Sequence, residues 1–273
     1  MKTTGKGASR FDSDPSRYAA YVDSPEGRLR AELAFANLQE FLPTPDGSRT
    51  VRALDIGGGT GAASVPLARR GIDVTLLDSS PAMLELAEQN IMAAGVRDRL
   101  TFKHADATQL LDTFPPESFD IVICHNLLEY VEDPGAVLRD AARLLRNSSA
   151  VLSVLVRNQA GEILKAALKA GDLAAAEQNL TAQWAQESIY GGKVRLFTPE
   201  VLAAIMDNAL LSIAARRGVR VIADYLCAKI SFVEDYERIF ALERRLGTRL
   251  EFFGIARYLH ILAQPERRME VVG

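Results

Sequence analysis

The ten residues Leu54–Ala63, LDIGGGTGAA, carry glycine at positions 57, 58, 59 and 61, directly behind the apolar run VRALDI. A strand that runs into glycines and out into a helix aims backbone N–H groups and a helix N-terminus at an anionic or polar ligand. Glycine is needed because the ligand lies where a Cβ would be, and because such turns use positive φ. The spacing of Gly57, Gly59 and Ala62 satisfies G-x-G-x-x-G/A, the dinucleotide-binding pattern. It equally satisfies D-x-G-x-G-x-G, headed by Asp55 and closed by Gly61. The glycines alone leave both readings open.

The rest of the chain repeats this unit. Apolar runs at 51–56, 72–78, 100–106, 119–126 and 150–156 predict strands, separated by helical patterns to Arg70, from Pro81 to about Ala94, and from Pro134 to Arg146. Strands alternating with helices imply βαβ units and a parallel sheet covered on both faces. A helix is predicted from Pro25 to Leu42, capped by Ser24 and stopped by Pro43, Pro45 and Gly47. The beat breaks at residues 158–197, read as an insertion of helix and loop. It resumes with a helix near Thr198, a strand with its exit at 211–226, a helix at 236–246 and a final strand at 255–264. Residues 1–10 and the tail PERRMEVVG are polar. At 273 residues, 48% apolar and 25% charged, the chain suits a single domain with a real core, a helical cap at 1–48 and a lid at 158–197.

Further polar positions follow the other strands. Asp55 lies within the first strand, where a carboxylate suits an ammonium better than a pyrophosphate. Asp78 closes the second strand, placed to hold two ribose hydroxyls; this feature is shared with NAD enzymes. Asp106-Ala107 follows the third and His125-Asn126 the fourth. All four sites fall at carboxyl ends of parallel strands, around the crevice where open α/β sheets bind ligands. In this order Asp55, Gly57, Asp78, Asp106 and His125 resemble the S-adenosylmethionine-dependent methyltransferases of the Rossmann-like class. The resemblance implies a seven-stranded, mostly parallel sheet with the last strand antiparallel and helices on both faces, which the strand count fits. It also implies S-adenosylmethionine as cofactor. Asp55 and Gly57, Gly58, Gly59 and Gly61 would face the methionine part, Asp78 and Ser79 the ribose, and Asp106 and Ala107 the adenine. An NAD oxidoreductase and a binding module without catalysis are the rival classes.

A narrower likeness comes from SPEGRLRAEL (24–33), HNLLEYVEDP (125–134), GVRVIADYL (218–226) and ARYLHILAQP (256–265). Together they resemble the bacterial tRNA 5-carboxymethoxyuridine methyltransferases, which esterify the carboxylate of a modified wobble uridine. That likeness implies cofactor contacts for Arg30 and His125. In the insertion, however, Lys165, Lys169, Lys193 and Arg195 are scattered among Asp172, Glu177 and Glu187. A concentrated basic patch is what dominates nucleic-acid affinity, so a small-molecule acceptor leads and tRNA is the alternative.

A carboxylate acceptor is already ionised at neutral pH and needs no base. It wants a guanidinium anchor, for which Arg220 and Arg257 are the candidates; Asp224 and Glu251 could instead neutralise them. For a hydroxyl or amine acceptor, His125 or His260 would be the candidate base. Tyr18 and Tyr21 are placed to face a sulfonium, and Trp184 to wall the substrate or anchor the lid. Cys124 and Cys227 show no metal-ligand spacing and suit a reduced, cytoplasmic setting. Neither a metal site nor a membrane segment is predicted, and a net charge of −3 gives no overall pull toward nucleic acid.

Overall fold

The computed structural model describes residues 8–43, 49–187 and 189–266; the polar ends at 1–7 and 267–273, and the predicted helix stops Pro45 and Gly47, lie outside it. The strands are β1 Arg52–Ile56, β2 Asp73–Asp78, β3 Leu100–His104, β4 Ile121–His125, β5 Val151–Arg157, β6 Trp184–Gln186, β7 Lys193–Arg195, β8 Leu211–Val219 and β9 Tyr258–Pro265. Helices are α1 Ala8–Ser13, α2 Pro15–Asp23, α3 Pro25–Gln39, α4 Ser64–Ala68, α5 Pro81–Ala93, α6 Leu110–Thr113, α7 Pro134–Leu144, α8 Gln159–Leu164, α9 Leu173–Asn179, α10 Pro199–Asn208, α11 Tyr236–Gly247 and α12 Leu250–Phe253.

Seven strands form one sheet in the order β3-β2-β1-β4-β5-β9-β8. The first five pair in parallel, and β9 enters between β5 and β8, antiparallel to both. The predicted architecture is therefore the observed one. Successive side chains of the central strands pack on opposite faces. Leu54, Ile56, Val122, Leu152 and Val154 meet α7 and α10 through Val137, Leu138, Leu202 and Met206. Ala53, Val74, Leu76, Ile121 and Ile123 meet Leu38, Leu67, Ala87 and Ile91 on the other side. Four helices begin with proline behind a capping side chain: Ser24, Ser80, Asp133 and Thr198 each accept a backbone N–H of the first turn.

The insertion departs from its predicted helix and loop. A π-helical turn at Lys165–Lys169 follows α8, and β6 and β7 pair as an antiparallel hairpin beyond α9. Three-residue strands are too short for their alternation to be read in sequence. The predicted strand 211–226 also divides. It ends at Val219, and Arg220 turns with φ +59° into a short turn at Ala223–Tyr225.

That turn is held by one buried carboxylate. Glu243 on α11 is 1% exposed and accepts the backbone N–H groups of Val221 (2.6 Å), Ile222 (2.9 Å) and Ala223 (2.7 Å). Burial pushes its carboxyl up, and the three N–H donors pull it down. Removing it leaves donors unpaired inside the protein, at ~1–3 kcal/mol each. Glu243→Ala should therefore lose about 3 kcal/mol or more in chemical denaturation, with Glu243→Gln recovering part of that. A loss below about 1 kcal/mol would show that the turn does not depend on this carboxylate.

Candidate active site

The carboxyl ends of the parallel strands open into a cleft of about 1450 Å³, roofed by α1, α2 and the insertion. Arg30, Gly57, Gly59, Asp78, Ser79, Asp106, Ala107, His125, Arg220 and Arg257 all line it. Asp55 and Gly58 border an adjoining hollow of about 50 Å³, shared with Tyr18, Arg30, Gly57 and His125. Gly61 faces Ile91 instead.

At the β1 end, Gly57 N and Gly58 N donate to Leu77 O of the neighbouring strand (2.7 and 3.1 Å). Gly57 and Gly59 have φ of +66° and +53°. A Cβ on Gly57 would lie 2.9 Å from Leu127 Cδ1 and would have to displace that side chain, and the positive φ adds strain for any other residue. Asp78 accepts Gly59 N at 2.9 Å on one oxygen and Ser80 N at 2.9 Å on the other. A carboxylate offers about four lone-pair sites, so acceptor capacity remains for ligand hydroxyls. Burial raises its pKa against these donors. Asp106 caps the turn at Ala107–Gln109, with Oδ1 accepting from Thr108 N (2.9 Å) and Oγ1 (2.7 Å).

Asp55 is 2% exposed and accepts Ser64 Oγ at 2.7 Å behind the loop. Burial pushes its carboxyl up to about 6, with the Ser64 bond opposing. Its one hydrogen bond braces the loop against α4.

His125 and His260 belong to a single buried chain. Asn37 Nδ2 meets His260 Nδ1 (3.2 Å), and Ser153 Oγ bridges His260 Nε2 and His125 Nε2 (2.8 Å each). An amide nitrogen only donates, so His260 Nδ1 accepts and its Nε2–H donates to Ser153. The Ser153 proton then goes to His125 Nε2, leaving the His125 proton on Nδ1. Burial, aided by Arg30, pulls His125 down to about 3, and burial holds His260 well below its usual range. Both rings are neutral, and His125 has no lone pair free to take a proton.

The opposite wall is an arginine nest around Tyr258, which the sequence reading missed. The guanidiniums of Arg30, Arg220 and Arg257 lie 5.6, 5.8 and 5.9 Å from its ring centroid. Burial raises the Tyr258 phenol, but Arg30, Arg157, Arg220 and Arg257 outweigh that and bring it to about 7. Its neighbour Tyr21, whose hydroxyl is 3.3 Å away, is pushed up to about 12 by burial. Arg30 also meets the Tyr21 ring (4.9 Å) and the Tyr18 hydroxyl (3.4 Å), so this guanidinium is the cation those tyrosines face here.

Counter-charges hold the nest in shape. Arg220 pairs with Asp224. Arg257 Nη2 and Arg157 Nη1 share Glu162 Oε1 at 2.8 and 3.1 Å, so Glu162, and not Glu251, is the partner of Arg257. Burial opposes the charge on Glu162, yet the two arginines keep its pKa low. Arg257 Nη1 and Glu129 Oε2 are buried and make no hydrogen bond. A signal existed in the sequence: Arg157, Arg220 and Arg257 sit just at or beyond the ends of β5, β8 and β9. Because β9 runs antiparallel, all three reach the same edge of the sheet.

At the mouth, Trp184 is 44% exposed with Arg195 4.6 Å over its ring. Lys193 of the same hairpin lines the cleft, as do Lys165, which faces Arg257 and Glu162, and Lys169, whose Nζ lies 4.0 Å from Asp224 Oδ1. The π-turn thus adds two lysines to the arginine nest, and the hairpin carries Trp184 and Lys193. Tyr190 Oη donates to Asp14 O (2.8 Å) and its ring meets Phe11 (5.2 Å), tying the insertion to the N-terminal helices. Among the described residues no group of three or more His, Cys, Asp or Glu could hold a metal ion, and no helix is long and apolar enough to cross a membrane.

A family model described as "Methyltransferase domain" matches residues 54–153, the span from the glycine loop through β5. The tRNA 5-carboxymethoxyuridine methyltransferase of Escherichia coli K12 is 28% identical over 269 residues, covering 96% of this chain and 98% of that one. A ubiquinone biosynthesis O-methyltransferase of Xanthomonas euvesicatoria is 32% identical over 165 residues, covering 58% and 67%. Among solved structures, the magnesium protoporphyrin IX methyltransferase of Synechocystis with bound S-adenosylhomocysteine superposes with a TM-score of 0.61 at 16% identity, over 95% and 97% of the two chains. With these likenesses spanning its sheet, its glycine loop and its strand-end cleft, the chain belongs to the Rossmann-like S-adenosylmethionine-dependent methyltransferases.

Proposed function

We propose that this methyltransferase esterifies a carboxylate, and that the nest around Tyr258 is its acceptor anchor. The carrying observation is Arg257 Nη1, a buried guanidinium nitrogen with no hydrogen-bond partner on a residue that lines the cleft. A buried charged donor left unpaired is costly, and an acceptor carboxylate would satisfy it with a charge-assisted bond.

S-adenosylmethionine supplies a methyl group already activated on a sulfonium sulfur. The chain's residues would then bind and align. Asp78 and Ser79 would hold the ribose, Asp106 and Ala107 would meet the adenine, and Arg30, Gly57 and the His125 Nδ1–H would hold the amino-acid end, with Asp55 bracing the loop from behind. Arg257 and Arg220 would fix the acceptor oxygen on the opposite side. Alignment of reacting groups can supply ~7–11 kcal/mol of a barrier. A carboxylate needs no deprotonation, which agrees with His125 having no free lone pair. The Tyr190 and Phe11 contacts that close the roof would exclude water.

The contact of Tyr190 with Phe11 and Asp14 across the cleft favours a small free acid as the acceptor. A second reading, a carboxylate carried on tRNA, is supported by the whole-length likeness to the tRNA enzyme and by exposed Trp184. A base could stack on this ring, with Lys193 and Arg195 near its phosphates. Incubation with methyl-labelled cofactor and either a panel of carboxylic acids or bulk tRNA tests both. Label released by mild alkali is expected, since methyl esters hydrolyse where ethers and methylamines do not. Alkali-stable label would overturn the carboxylate reading, and label in tRNA alone would move the acceptor from the free acid to the nucleic acid.

Two further outcomes are expected. Asp78→Ala should weaken S-adenosylhomocysteine binding about 100-fold, the loss of charge-assisted bonds worth ~3 kcal/mol; an unchanged Kd by calorimetry would remove Asp78 from the site. Tyr258 is neutral below about 7 and anionic above it, and a phenolate would compete with the acceptor for the same guanidiniums. The KM for the acid should therefore rise roughly tenfold from about pH 6.5 to about pH 8.5, because binding an anion favours the neutral phenol. Tyr258→Phe should flatten that rise, and a slope that survives the substitution would place the titrating group elsewhere.

A further inference from the structure

Among the described residues four on the cleft lining carry a buried polar atom with no hydrogen bond: Arg220 Nε and Arg257 Nη1 among the donors, Asp224 Oδ2 and Glu129 Oε2 among the acceptors. Arg220 and Asp224 already pair with each other through other atoms, so Glu129 is the orphan acceptor outside that pair. Glu129 is 2% exposed and lines the cleft. Its Oε1 accepts Asn126 Nδ2 (3.2 Å) and Arg157 N (2.9 Å), while Oε2 is buried without a hydrogen bond. The chain holds the rest of this residue tightly. Its own carbonyl accepts Arg195 N from the hairpin at 3.0 Å, its own N–H favours the charged carboxylate, and the donors from Asn126 and Arg157 both sit on Oε1. Arg157 connects the two orphans: its backbone N–H reaches Glu129, and its guanidinium reaches Glu162, the carboxylate that also holds Arg257. The unpaired acceptor and the unpaired cationic donor therefore belong to one contact chain, Glu129–Arg157–Glu162–Arg257, whose members other than Glu162 line the same cleft.

We infer that the acceptor is an acid that also carries a hydrogen-bond donor, an N–H or O–H, which Glu129 Oε2 receives while Arg257 Nη1 binds the carboxylate. Each orphan leaves one end of such a molecule recognised, and a plain monofunctional acid would leave the glutamate oxygen unpaired. Sites built around a buried polar partner reject analogues that lack the matching group far more strongly than apolar pockets reject a missing methyl. Glu129 is then a specificity residue for the acceptor, with no part in holding the cofactor. The inference rests on the carboxylate reading of the preceding section and narrows the acceptor class.

Binding to the full-length protein saturated with S-adenosylhomocysteine tests it, using matched acids with the donor free or methylated. The pairs are 4-hydroxyphenylacetate against 4-methoxyphenylacetate, and 5-carboxymethoxyuridine against its N3-methyl derivative, with the carboxamide of each parent as a charge control. The donor-bearing acid should bind about 10- to 100-fold more tightly than its methylated partner in at least one pair. In Glu129→Gln the two donors hold the amide oxygen and the NH₂ faces the cleft. The preference should then vanish or invert toward the methylated acid, with S-adenosylhomocysteine affinity unchanged. Equal binding within every pair, or a preference that survives Glu129→Gln, overturns this inference alone. A fall in S-adenosylhomocysteine affinity would assign Glu129 to the cofactor and overturn it as well. Acids that bind no better than their carboxamides overturn the carboxylate reading and this inference with it.

Discussion

The parallel pairing of β1 with β2 is the constraint from which the site follows. Ile56 and Leu77 are register partners, so the glycine loop leaves β1 beside the last residues of β2. There Leu77 O takes two loop N–H groups and Asp78 takes a third. Positive φ at Gly57 and Gly59 keeps the loop close enough for these bonds and clear of Leu127. The glycine loop and the acid beside it are thus two ends of one hydrogen-bonded junction.

The other half of the cleft depends on charge balance in a confined space. Arg30, Arg157, Arg220 and Arg257 surround Tyr258 with too few acids to pair each of them completely. Glu162 serves two arginines through one oxygen, and Asp224 serves Arg220 while Lys169 Nζ lies 4.0 Å away. An excess of positive charge at low exposure is unfavourable alone and becomes favourable once an anion enters. Glu243 supports this arrangement from behind, since the turn it caps carries both Arg220 and Asp224. The stability of the scaffold and the shape of the arginine nest are therefore coupled through a carboxylate that pairs with neither Arg220 nor Asp224.

Much of this was legible in the chain. Strand and helix periodicity, capped prolines and the glycine loop are local signals, and their outcome, a parallel sheet with a crevice at its carboxyl edge, follows from chirality and burial rules that act on any sequence. Asp78, Ser79, Asp106, Ala107 and His125 were found because strand ends are recognisable and all parallel strand ends meet at one edge. Arg30 was reached through family likeness alone; by itself it reads as a solvated helix residue, and it is in fact 7% exposed. Asp55 sits behind the loop and borders only the smaller hollow, because the bond to Ser64 depends on where α4 begins, which no spacing encodes.

The amino-acid sequence by itself determined the order of elements, the glycine loop and the edge of the sheet where the cleft opens, because each depends on residues close together in the chain. The tertiary structure alone decided that β9 inserts between β5 and β8, bringing arginines from positions 157, 220 and 257 onto one tyrosine. It also brought the insertion's dispersed lysines into the cleft lining, left Glu129 and Arg257 each with an unpaired atom, and ran a hydrogen-bond chain from Asn37 to His125. These features join residues as far apart as 223 positions. Such contacts are set by packing and burial across the whole core, and those long-range terms leave no periodic trace along the chain.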